Sequence, residues 1–138
     1  MHYITRKDPM IKVVAAILRK ENTYFIARRG PHKVHPGKWE FPGGKIEHGE
    51  SPEEALEREL FEEFCIQTKT QEHVTTIIHA YKDFQIELMA YRSDFIKGDF
   101  QLEDHDKIAW VSLRSMKDYD LAEADVLIAL KLQENRLA

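Results

Sequence analysis

The chain has 138 residues, 43% of them hydrophobic and 32% charged, with 24 acidic side chains against 20 basic ones and a formal net charge of −4. This composition suits one folded domain with its own core and excludes a disordered tail. The acidic balance argues against a nucleic-acid polymer as partner, since duplex binding needs a basic face to displace counterions. A small anionic substrate stays open if metal ions neutralise part of the site. The lone cysteine, Cys65, excludes an intrachain disulfide and suits a reducing cytoplasm. The apolar run from Val13 to Leu18 is too short to cross a membrane.

Residues 1–9 are polar and read as a flexible arm ahead of a single domain. Residues 10–19 and 24–29 predict two strands joined by the polar turn 20–23. Residues 30–49 are rich in proline and glycine, which predicts loop with a short extended piece at 39–41. Residues 51–64 predict the strongest helix. Ser51 is a natural N-cap, Pro52 suits the first helical position, and Glu54 completes a capping box. Extended runs follow at 73–81 and 84–95, then a short strand at 109–113. Residues 121–137 predict a closing amphipathic helix, with Leu127, Leu130 and Leu137 on its apolar side. Strands, helix, strands and a final helix give a mixed α+β or α/β sandwich.

On the 51–64 helix, Leu56, Leu60 and Phe64 form an apolar stripe at i, i+4 and i+8. Glu59, Glu62 and Glu63 crowd beside it at i, i+3 and i+4, where like charges repel by a few tenths of a kcal/mol per pair. Two readings stand at this point. One is a solvated acidic face in which Arg58 pairs with Glu54 and Glu62. The other is a site for a hard divalent cation, whose preferred ligands are carboxylate oxygens. The preceding Trp39-Glu40-Phe41-Pro42-Gly43-Gly44-Lys45 favours the second, because glycines let backbone approach a ligand closely.

The segment 44–66 resembles the Nudix box, G-x5-E-x7-R-E-U-x-E-E-x-G-U with U aliphatic. The matches are Gly44, Glu50, Arg58-Glu59-Leu60, Glu62-Glu63 and Ile66, with Cys65 where the pattern has glycine. That position follows the helix, where a left-handed backbone is common, so cysteine there predicts a slightly strained or reshaped turn and an intact site. Residues 39–45 further resemble the lead-in of the MutT-like branch. The resemblance implies an α/β/α sandwich whose mixed sheet is flanked by the box helix and a C-terminal helix. It also implies Mg²⁺-dependent hydrolysis of a nucleoside triphosphate to the monophosphate and pyrophosphate, of the kind that sanitises damaged nucleotides such as 8-oxo-dGTP, with Mn²⁺ as a substitute metal.

Carried onto this chain, the resemblance makes Glu59, Glu62, Glu63 and the Gly43 carbonyl the metal ligands. Glu59 is the expected general base and Glu62 the next choice, while Glu50 and Arg58 hold loop and helix together. A further acidic ligand from a later loop falls on Asp104, whose spacing to Trp110 fits better than that of Glu103. Arg29 and Lys45 are candidate phosphate contacts, Glu40 and Phe41 candidate pocket residues, and Tyr81 a candidate stacking ring; each has an ordinary surface or core alternative. Asp125 lies in a run, 121–125, resembling the segment that reads the base edge; its alternative is a helix-terminal dipole partner. The seven histidines lack metal-ligand spacing and read as scattered surface or loop residues, with His35 the one weak pocket candidate.

The competing functions are the same chemistry on cytidine triphosphates or a dinucleoside polyphosphate, and a non-catalytic nucleotide-sensing module. No proline follows Pro52, so the downstream proline associated with ADP-ribose hydrolases is absent. A monomer or a homodimer is expected.

Overall fold

The structure is a computed structural model and describes residues 9–137, with side chains to residue 135. The arm expected at 1–9 therefore lies outside the described residues apart from Pro9.

Strand β1, Met10–Lys20, alternates its side chains between two cores. Val14, Ala16 and Leu18 face one, Ala15 and Ile17 the other, the pattern of a strand buried on both sides. Its hairpin partner β2, Thr23–Arg29, joins it only at the turn end, where Arg19 faces Tyr24. The same edge of β1 pairs at Val13–Ala15 with β4, Gly43–Lys45, so the edge fans open between these two partners. β3, Trp39–Glu40, adds to β2. Sequence alone predicts loop at β4; the close backbone approach of two glycines converts it into a short strand.

The other edge of β1 runs parallel to β6, Gln85–Lys97, which pairs antiparallel with β5, Gln67–Ala80. β7, His105–Val111, lies antiparallel on β2. β5 and β7 begin earlier than expected. Thr68 and Thr70 are buried in alternation with exposed Gln67 and Lys69, so strand periodicity was present there in polar residues.

Helix α1, Pro52–Phe64, covers one face of the mixed sheet with Leu56, Leu60 and Phe64, all fully buried as predicted. Its capping box is formed at both ends: Ser51 Oγ accepts from the Glu54 N–H and Glu54 Oε1 from the Ser51 N–H. Cys65 takes the left-handed conformation at φ 58°, ψ 30°. The turn keeps the shape a glycine would give, and cysteine bears the strain of roughly 1–2 kcal/mol.

Helix α2, Glu123–Leu137, covers the opposite face, completing the α/β/α sandwich. Its rotation differs from expectation. Ala124, Ile128, Ala129 and Leu132 are buried, whereas Leu127 and Leu130 are 39% and 51% exposed. Val126, Leu127, Ile128, Ala129 and Leu130 run unbroken around more than one turn, so the apolar pattern alone does not choose a face. Tethers to β3 and the residue after it choose it: the Ala122 N–H donates to Trp39 O at 2.9 Å, and Asp125 Oδ1 accepts from the Phe41 N–H at 2.8 Å. The side chain of Leu137 lies outside the described residues. Among those described, no helix is long and apolar enough to cross a membrane.

Candidate active site

The acidic face of α1 sits against the glycine strand. A Cβ on Gly44 would strike the Glu59 carboxylate, coming within 2.5 Å of Oε2 and 2.7 Å of Oε1, so only glycine leaves room for this carboxylate. Arg58 holds the surroundings together. Its Nε donates to Glu50 Oε2 at 2.6 Å and its Nη2 to Glu50 Oε1 at 3.0 Å and to the Lys45 carbonyl at 3.1 Å. Its Nη1 donates to Glu59 and Glu62, both at 3.1 Å. The pairing to Glu62 matches the i, i+4 expectation. Glu54 is not a partner, because the capping box already occupies it; Glu50 from the loop takes its place.

The electrostatics distinguish the three glutamates. Burial raises Glu59, opposed by Arg58 and reinforced by Glu62 and Glu47. Glu62 is exposed on the rim. Burial, with Glu59, Glu40 and Asp104 adding to it, pushes Glu63 up to about 8. Glu63 Oε2 is buried with no hydrogen-bond partner among the described residues. An orphaned buried carboxylate oxygen is costly unless something cationic or protic reaches it. The donor set is entirely oxygen, which fits a hard divalent ion. Among the described residues, no three acidic, histidine or cysteine side chains are already gathered tightly enough to enclose one, and Arg58 spans Glu59 and Glu62.

Asp104 lies close enough to Glu63 to raise it. Its side chain faces Lys33 Nζ at 3.5 Å and His32 at 3.9 Å, and its carbonyl accepts from the Gly30 N–H.

A second group of predicted residues converges beside this face. Arg29 Nη1 donates to Glu40 Oε1 at 2.9 Å, and Arg29 Nε also donates to the Val34 carbonyl. Phe41 is buried in the core under α2, and its backbone N–H holds Asp125. Burial, with Glu40 adding to it, pushes Asp125 up to about 8. Asp125 also stands in the first turn of α2, the place expected of a helix-dipole partner. Tyr81 stacks on Phe84 at 5.0 Å, meets His79 edge-on at 4.8 Å and lies 6.5 Å from the near-parallel ring of His35. With His35, Lys38, Ala122 and Glu123 it lines a cleft of about 60 Å³. Lys45 is not part of this convergence. It is exposed and lines an open groove with Met10, Lys12, Glu47 and His48.

The histidines need correction at one position. His105 is buried, stacked on Phe64 at 5.1 Å, and its Nε2 is 2.8 Å from Glu40 Oε2. Its place five residues before Trp110 pointed the other way, since strict alternation sets those two side chains on opposite faces. The bulge that turns it inward was not readable.

The NUDIX domain family profile matches residues 13–131. The CTP pyrophosphohydrolase of Escherichia coli K12 is 36% identical over 117 residues, covering 85% of this chain and 87% of that protein. The 8-oxo-dGTP diphosphatase of the same strain is 32% identical over 124 residues, covering 89% and 96%. The solution structure of the E. coli ORF135 protein superposes with a TM-score of 0.85 at 33% identity, covering 97% of this chain and 96% of that one. Fold, site and relatives together define a divalent-metal-dependent hydrolase of phosphoric anhydride bonds in small nucleotides. The chain belongs to the NUDIX domain family.

Proposed function

We propose that the chain hydrolyses a nucleoside triphosphate to the monophosphate and pyrophosphate, with Mg²⁺ as its metal and Mn²⁺ able to replace it. In this reading a single domain works in the cytoplasm, as a monomer or homodimer, and clears damaged or noncanonical nucleotides. The observation that carries it is the buried Glu63 oxygen that has no hydrogen-bond partner among the described residues, beside Glu59 and Glu62 on one helical edge.

Glu59, Glu62, Glu63, the Gly43 carbonyl and Asp104 would hold the metal. When bound, the ion neutralises phosphate charge and acidifies attacking water. Glu59, with its raised proton affinity and its position against Gly44, accepts the water's proton, with Glu62 as the next choice. Arg29 is the proposed phosphate contact; Lys45, exposed on the separate groove with Glu47 and His48, is not retained as one. Glu40, Phe41, Tyr81 and Asp125 form the base pocket.

The names of the relatives support two bases, cytosine and 8-oxoguanine, and Asp125 offers a physical way to choose between them. Below its pKa of about 8 the carboxyl is protonated and donates to a base acceptor; above it the carboxylate only accepts and suits an amino-bearing edge. Turnover of 8-oxo-dGTP relative to CTP therefore falls as pH rises through about 8, and Asp125→Ala flattens that dependence while changing base preference more than the rate on the best base. A ratio that is flat with pH in the unaltered protein, or equal losses on all bases in the variant, contradicts base reading by Asp125. The function as a whole is tested by a panel of nucleoside triphosphates and dinucleoside polyphosphates assayed for pyrophosphate and phosphate release with and without Mg²⁺. Phosphate in place of pyrophosphate, or no turnover at all, contradicts it.

A further inference from the structure

We propose that His105 is a positioning residue for this hydrolysis: it fixes the Glu40 carboxylate and so ties the strand bearing the pocket to the helix bearing the acidic face. The proposal rests on the reading of Glu40 as a pocket residue. The first support is the register of β7 on β2. Phe25 faces Trp110 and Ala27 faces Ile108, so strict alternation would set Asp106 opposite Arg29. An irregularity after Arg28 sets His105 there instead and leaves Asp106 to pair outside with Arg28 Nε at 2.8 Å. Bulges of this kind re-aim a side chain beside active sites.

The second support is what the turned-in ring meets. Its side chain is 2% exposed, and its Nε2 lies 2.8 Å from Glu40 Oε2 while Arg29 holds Glu40 Oε1. Both oxygens of Glu40 are thus fixed, one from β2 and one from β7. The ring stacks on Phe64, the residue following Glu63 on the box helix. Nδ1 is buried with no partner among the described residues. A phenyl ring would pack on Phe64 as well and orphan no nitrogen. The imidazole is therefore accounted for by its bond to Glu40 and not by packing, since an unpaired buried nitrogen is otherwise a cost.

The test uses the full chain and the best nucleotide of the panel, with thermal unfolding followed alongside. Glutamine carries its amide nitrogen where Nε2 stands, whereas asparagine is too short to reach Glu40 and phenylalanine has no donor. His105→Phe and His105→Asn should raise KM by about tenfold or more, and His105→Gln should recover most of that loss. In a Glu40→Gln background, His105→Phe should change KM by less than about twofold, as expected for residues acting through one contact. Equal KM values for the Gln, Asn and Phe variants, or losses that simply add to that of Glu40→Gln, would overturn the proposal. If His105→Phe does not fold, the Gln and Asn pair decides alone. A Glu40→Gln protein with unchanged KM removes Glu40 from the pocket and the proposal with it. A harmful Glu40→Gln without the Gln and Asn split leaves Glu40 in the pocket and removes only His105.

Discussion

Glu59→Gln lowers kcat for pyrophosphate release by about 10²–10⁴-fold, the range a general base contributes, and leaves the melting temperature nearly unchanged. The substitution conserves volume, keeps one oxygen able to face a metal, and removes the capacity to accept a proton. The fold tolerates it because Arg58 keeps its two bonds to Glu50 and its bond to Glu62. Burial already disfavours the charged form of Glu59, so a neutral side chain there relieves a cost. Turnover within about threefold of the unaltered protein, in the same assay, would take Glu59 out of the mechanism.

Gly44→Ala should reproduce that loss without touching the residue that performs the chemistry. The new methyl would occupy the space of the Glu59 carboxylate, whose oxygens stand 2.5 and 2.7 Å from it. A glutamate tip swings aside cheaply, so the protein stays folded, but a base displaced by about 1 Å costs on the order of 10²-fold in rate. Gly43→Ala should behave in the opposite sense. Its methyl would overlap the Val14 carbonyl oxygen and lie 2.9 Å from Ala15 Cα, backbone that is pinned in the β1–β4 ladder. The expected result is a stability loss of about 1–3 kcal/mol, read by denaturant unfolding, with residual activity in whatever fraction folds. Equal effects of both alanines on stability, or an active Gly44→Ala protein, would contradict this placement of Glu59.

The parts of the site that sequence could reveal are those set by local rules. Ser51, Pro52 and Glu54 announced where α1 begins, and the capping box appears with both bonds made. Leu56, Leu60 and Phe64 then fixed which side of the helix is buried, and with it the edge on which Glu59, Glu62 and Glu63 stand. The parts that escaped are set by partners distant in the chain. The inward turn of His105 depends on a register shift between β2 and β7 that no periodicity in either strand reports. The rotation of α2 depends on Asp125 reaching the Phe41 N–H across 84 positions of sequence. The pairing of Arg58 lies between these cases: the resemblance to the Nudix box implied Glu50 as its partner, whereas helix spacing alone offered Glu54, which the capping box had already claimed.

The most direct test of the central claim is pyrophosphate release from a nucleoside triphosphate as Mg²⁺ is titrated into the metal-free protein. Three oxygen-donor carboxylates on one helical edge, one of them with a buried oxygen lacking a partner among the described residues, predict no release without the ion and a saturating rise as it is added. Release that proceeds equally well in the presence of a chelator would contradict the account.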